Sequence, residues 1–159
     1  MESNNLKRSG FDNLYADGTL APGNSYGEDG HTVYYKDSKG NRRPTTGAAK
    51  YHFKKFGFWG KQRIDMYLYP NSFRSPEELY LTIGHELIHV GLYNLGNYGE
   101  TEYSHARHEA TAYSWNYDQS MLWGLSYVAK QYNYNITNIG NGNPYPYQKP
   151  TRILRPIRP

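Results

Sequence analysis

The sequence contains no cysteine. No disulfide can staple the fold, and no thiolate is available as nucleophile or metal ligand. Any metal site must therefore use imidazole and carboxylate. Long apolar runs are also missing. No stretch approaches the roughly 18–20 apolar residues of a membrane-spanning helix, so no membrane partner is expected. Apolar residues make up only 37% of the chain. Much of the core must come from aromatics, above all the 18 tyrosines. Each brings a large area and a hydroxyl that needs a partner. A length of 159 residues suits one domain with a real core and is short for two.

A clustered charge of one sign is absent from most of the chain. The net charge of +4 has a local source in Lys149, Arg152, Arg155 and Arg158, within a final segment that has no acidic residue. With those four set aside, 14 basic residues balance 14 acidic ones. A neutral body argues against a nucleic-acid partner, since such domains carry a clustered basic face. The start, Met1-Glu2-Ser3-Asn4-Asn5-Leu6-Lys7-Arg8, lacks the apolar run of a secretory signal. Synthesis in the cytoplasm is expected, with export conceivable only as part of a larger protein.

Three regions are expected. Residues 1–31 are rich in Gly, Asn, Asp and Ser, with turn pairs Asp17-Gly18 and Asp29-Gly30, and read as an irregular leader. Residues 32–131 read as the folded body, and 132–159 as coil running into a Pro-rich basic tail. Within the body, Thr32–Lys36 is a short strand, with Asn41–Arg43 as a hairpin partner that Pro44 stops. The aromatic run Tyr51, Phe53, Phe56, Phe58 and Trp59 reads as hydrophobic packing. From Gln62 to Tyr69, Ile64, Met66 and Leu68 alternate with Asp65, Tyr67 and Tyr69. That is the pattern of a half-buried strand, and Pro70 suggests that it lies near a sheet edge.

The next segment carries the chemistry. Ser75-Pro76-Glu77-Glu78 combines a Ser cap, Pro at the first helical position and Glu three residues after the cap. The helix should run from Pro76 to about Leu95, stopped by Gly96. Inside it lies His85-Glu86-Leu87-Ile88-His89. Two histidines four apart on a helix stack on one face, as two nitrogen ligands of one zinc ion must. Glu86 flanks that face and can reach a metal-bound water. A second helix, starting near Thr101 or Ser104, is either broken at Asn116-Tyr117-Asp118 or continuous to about Gln131. The short connection makes it an antiparallel neighbour of the first. It offers His105, His108 and Glu109 as a third ligand. From His89 the first helix rises about 9 Å to its end, and an antiparallel helix starting near Tyr103 returns level at Glu109. His105 falls short, and His108 points about 100° away around the helix. Glu109 is the best third ligand.

His85-Glu86-x-x-His89 followed, after nineteen intervening residues, by Glu109 resembles the spacing of thermolysin-like zinc peptidases, the gluzincins. The resemblance implies zinc held by His85, His89 and Glu109, with Glu86 as general base. It implies a small zincin-like α+β fold, in which a short antiparallel or mixed sheet packs on the active-site helix and a second antiparallel helix. The substrate would be a protein or peptide, extended along the Gln62–Tyr69 strand and using its free edge. Many gluzincins have Asp four residues after the third ligand, where this chain has Tyr113. His105 and Tyr113 are the candidates for stabilising the transition state. The runs His85–Gly91 and Arg107–Ala112 also look like the metallopeptidase domains of bacterial polymorphic (RHS-type) toxins. That likeness implies delivery into a target cell and a dedicated immunity protein. The competing reading is a non-catalytic, zinc-stabilised binding module that acts through its basic Pro-rich tail. The intact Glu86 argues against it, because a structural site has no need of a base.

Overall fold

The computed structural model describes residues 10–37, 40–56, 59–97 and 101–141. The basic Pro-rich tail lies outside them, as do the aromatic side chains of Phe53, Phe56, Phe58 and Trp59. The chain divides into two compact units, Met1–Gly96 and Asn97–Pro159.

The first unit begins with six strands: β1 (Asn13–Tyr15), β2 (Ser25–Tyr26), β3 (Val33–Lys36), β4 (Arg42–Thr45), β5 (Gly47–Phe56) and β6 (Trp59–Leu68). A 3-10 turn (Pro70–Phe73) and helix α1 (Pro76–Asn94) follow. The strands form two three-stranded sheets, ordered β1-β6-β5 and β2-β3-β4. The first is mixed, with β1 parallel and β5 antiparallel to β6. The fold class is α+β, as the sequence predicts.

Three expectations change here. The leader is not wholly irregular: it supplies β1, which pairs with β6 from Asn13↔Asp65 to Tyr15↔Tyr67, and β2. Pro44 does not end its strand, because Tyr34 pairs with Pro44 and β4 continues to Thr45. β4 is the edge of its sheet, where a residue without an N–H is tolerated. The third change concerns β6, which is the central strand of its sheet and not an edge. Its two alternating sets of side chains are both buried. Ile64 packs with Ala49 and Val90, and Tyr67 and Tyr69 pack with Ala21 and Val33. The leader and the second sheet thus cover the face that the alternation assigns to solvent. A fully buried Val or Ile side chain contributes about 1.5–3 kcal/mol, and both faces of β6 gain such contacts.

Burial on that second face forces its polar groups to find partners. The Asp65 carboxylate is fully buried and meets Asn13 Nδ2 at 2.7 Å, Arg63 at 2.8 Å and His52 Nε2 at 3.3 Å. The Tyr69 hydroxyl accepts from the Ala21 N–H at 3.2 Å and from Asn24 Nδ2 at 2.7 Å. These bonds fasten the leader over the sheet.

The second unit consists of α2 (Glu102–Leu122) and α3 (Ser126–Asn141). Thr101 caps α2 reciprocally with Ser104. The helix runs unbroken through Asn116-Tyr117-Asp118 and ends at Leu122, with Gly124 just beyond the cap at a φ of +72° that suits a residue without Cβ. The coil expected from Tyr132 is also wrong, because α3 continues to Asn141. Its composition is polar, yet Ala129 and Ile136 are buried and the Tyr132 ring stacks on Tyr113 of α2 at 6.0 Å. These positions recur at helical spacing, and packing of one face overrides a weak local propensity. No helix among the described residues is long and apolar enough to cross a membrane.

Burial pushes the Tyr69 hydroxyl above its ordinary pKa, and the Glu86 charge adds to the shift. The folded state therefore holds this proton more tightly than the unfolded chain. The associated stability is present below about pH 10 and is lost as pH rises further. Tyr69→Phe should cost about 1–3 kcal/mol, since it strands the Ala21 N–H without its acceptor. Urea unfolding of the two proteins at pH 8 and pH 11 should show the difference shrinking at the higher pH.

Candidate metal centre

The site is built on α1, and the helix signals explain its register. Ser75 Oγ accepts the Glu78 N–H at 3.1 Å, Pro76 occupies the first turn, and Glu77 and Glu78 face the positive end of the helix dipole. At the other end the Leu95 N–H reaches the Gly91 carbonyl, and Gly96 takes a φ of +80°. His85 and His89 therefore sit well inside the helix, one turn apart.

Their rings meet edge to face, with centroids 5.0 Å apart and planes at 71°. The two Nε2 atoms lie 3.2 Å apart. Two protonated imidazoles cannot approach in this way. One nitrogen must donate to the other, or both must present lone pairs to a shared cation. Two ligands at about 2.05 Å from a tetrahedral zinc stand about 3.3 Å apart, so the observed separation fits that donor pair. His89 is buried and His85 half-buried, which leaves one side of the pair open to a further ligand.

Glu86 is buried on the same helix at 5% exposure. Its carboxylate lies against the start of β5. A Cβ placed on Gly47 would stand 3.0 Å from Glu86 Oε1, 3.1 Å from its Cγ and 2.9 Å from Thr82 Cγ2. One turn earlier, the Thr82 hydroxyl donates to Thr46 Oγ1 at 3.0 Å. Farther along, Val90 packs on Ala49, and the Tyr51 and Tyr93 rings meet at 5.9 Å. The helix thus lies along the face of β5, with the small residues 47 and 49 beneath it.

The other residues that the sequence singles out are in the second unit. Glu109 is half-buried on α2, and His108 beside it is buried. Burial holds the His108 imidazole below its usual pKa, and neighbouring His105 adds to that shift. His105 is exposed. Tyr113 packs its ring on Tyr132. The contribution of β5 to the site is the feature that sequence reasoning misses. A signal for it exists in the run Gly47-Ala48-Ala49, which is too small and too poor in β-formers for an ordinary strand and marks a close backbone approach.

Ser75→Ala removes the cap that fixes this register. It should lower the unfolding free energy by about 1 kcal/mol, read as a lower urea midpoint with an unchanged slope.

Comparison with protein-family models, with curated proteins and with solved structures found no match.

Proposed function

We propose that the chain is a zinc-dependent endopeptidase in which His85, His89 and Glu109 hold the ion and Glu86 is the general base. The observation that carries the reading is the 3.2 Å approach of the two Nε2 atoms inside a capped helix. Further support comes from the donor set that the sequence offers: His85 and His89 stand one turn apart on α1, and Glu109 follows after nineteen intervening residues. Two neutral nitrogens and one carboxylate are a donor set of catalytic zinc, which keeps a fourth position for water. When bound, zinc lowers the pKa of its water towards about 7 and polarises the scissile carbonyl.

The residues of the chain do the rest. Glu86 accepts the proton of the attacking water as the new C–O bond forms. It then passes that proton to the amine nitrogen as the C–N bond breaks. Burial of Glu86 keeps bulk water from competing for the proton. The extended substrate is placed along β5, which is an edge strand of its sheet, and not along the central β6. An open edge offers backbone groups to a docking strand. Near Glu86 this edge is already occupied. The Thr45 hydroxyl donates to the Gly47 carbonyl at 2.6 Å, and the Tyr93 hydroxyl reaches the Ala49 carbonyl at 3.4 Å. A peptide pairing there displaces both hydroxyls. The reading extends to a toxic domain delivered within a larger protein and held in check by an immunity protein.

The full-length chain should carry one zinc per molecule, and chelation should abolish cleavage of unfolded casein. Glu86→Gln should keep the zinc and lose about 10²–10⁴-fold in kcat. Glu109→Gln should weaken zinc retention while leaving the helices folded by circular dichroism. A purified chain without stoichiometric zinc, or a Glu86→Gln variant with full activity, would sink the proposal. Cytoplasmic expression should arrest growth, and Glu86→Gln should relieve the arrest.

A further inference from the structure

The start of β5 touches the general base and has no part in the zinc donor set. Gly47 is buried, and its φ is not among the positive values found at Gly18, Gly23, Gly30, Gly40, Gly96 and Gly124. Its backbone conformation therefore admits any L-residue. Glycine is required there for space alone. A Cβ at 47 meets Glu86 Oε1 at 3.0 Å, Glu86 Cγ at 3.1 Å and Thr82 Cγ2 at 2.9 Å. All three separations are tighter than ordinary van der Waals contact, so the facing side chains must give by a few tenths of an ångström. Two residues along the same face, Ala49 carries a Cβ and packs against Val90 without difficulty. The close approach is thus local to Glu86 and is not a general demand of packing α1 on the sheet.

The neighbours of Gly47 cannot move aside. The Thr46 carbonyl accepts the Tyr69 N–H at 2.9 Å, and the Thr46 hydroxyl accepts from Thr82 at 3.0 Å. The Thr45 hydroxyl bonds the Gly47 carbonyl. These bonds and the pairing of β5 with β6 hold the strand, so the give must come from the side chains of Glu86 and Thr82.

We infer that Gly47 is a positioning residue for Glu86: the bare Cα is the wall against which the catalytic carboxylate rests, and a methyl group there turns the carboxylate out of line. The inference rests on the assignment of Glu86 as the base. A displacement of about 1 Å in a reacting group costs up to about 10²-fold in rate, and the few tenths of an ångström that the methyl demands cost about tenfold. The loss falls on kcat, because the added methyl meets Glu86, while a substrate strand pairs with the backbone carbonyl of Gly47, which the substitution keeps.

The test uses the full-length zinc-loaded protein with casein or a quenched peptide cleaved from it. Gly47→Ala should keep one zinc and an unchanged KM, and lose about tenfold in kcat. Adding Thr82→Ser removes the Cγ2 contact and should not restore kcat. In the Glu86→Gln background, Gly47→Ala should add little further loss. A Gly47→Ala enzyme within twofold of wild-type kcat, or one whose kcat returns with Thr82→Ser, overturns the inference. An arm without activity separates this from the function itself. In the zinc-free Thr82→Ser protein, where only the Glu86 contacts remain, the melting temperature should fall with Gly47→Ala, and the fall should vanish when Glu86 is truncated to Ala. A fall that persists in Glu86→Ala overturns the Gly47 contact. A wild type that cleaves nothing, with the thermal coupling intact, overturns the peptidase reading and with it any catalytic role for Gly47.

Discussion

Two imidazole nitrogens 3.2 Å apart on a largely buried helix face set the terms for everything near them. Proton sharing or a common cation must resolve the approach, and either solution fixes both rings. The helix must then be rigid enough to hold them in register. The Ser75 cap and the Gly96 stop supply that, with a helix of 19 residues between them. The helix must also be pressed against a sheet, because its two ends alone do not fix its rotation. Val90 against Ala49 and Tyr93 against Tyr51 do so.

This dependence makes β5 more than a scaffold. It is where the helix face carrying Glu86 meets backbone instead of side chain. Thr82 and Glu86, one turn apart, straddle Gly47, with Thr46 bonded to the first and Gly47 packed against the second. The polar side chains of the helix thus have two different kinds of support. The histidines face each other, and the glutamate faces a strand.

Much of this was legible in the sequence, unevenly. Caps are local chemistry, so Ser75-Pro76-Glu77-Glu78 and Gly96 placed α1 within a residue of its ends. The i, i+4 spacing of His85 and His89 needed no knowledge of the rest of the chain. Strand placement was harder. The alternation over Ile64–Tyr69 marked a strand, but it could not tell that Asp65, Tyr67 and Tyr69 would be covered by the leader and the second sheet. A polar residue in an alternating strand reads as solvent-facing until its partners are known, and those of Asp65 lie 52, 13 and 2 residues away in Asn13, His52 and Arg63. Proline at the end of β6 suggested an edge that topology placed elsewhere. The polar run after Tyr132 read as coil because its helix is held by one face packed on α2, and composition does not show that.

The stretch Arg42–Phe56 serves both sheets, pairing with β3 before Thr46 and with β6 after it. Side chains along a strand change face at every step, so its position is a matter of parity. Removing one residue anywhere between the β3–β4 turn and Gly47 would present Ala48 to Glu86 in place of glycine, or else unpair β4 from β3. Insertions in pairs preserve the parity and single ones do not. The hairpin at the far end of the second sheet, remote from any proposed chemistry, is thereby under the same length constraint as the site itself.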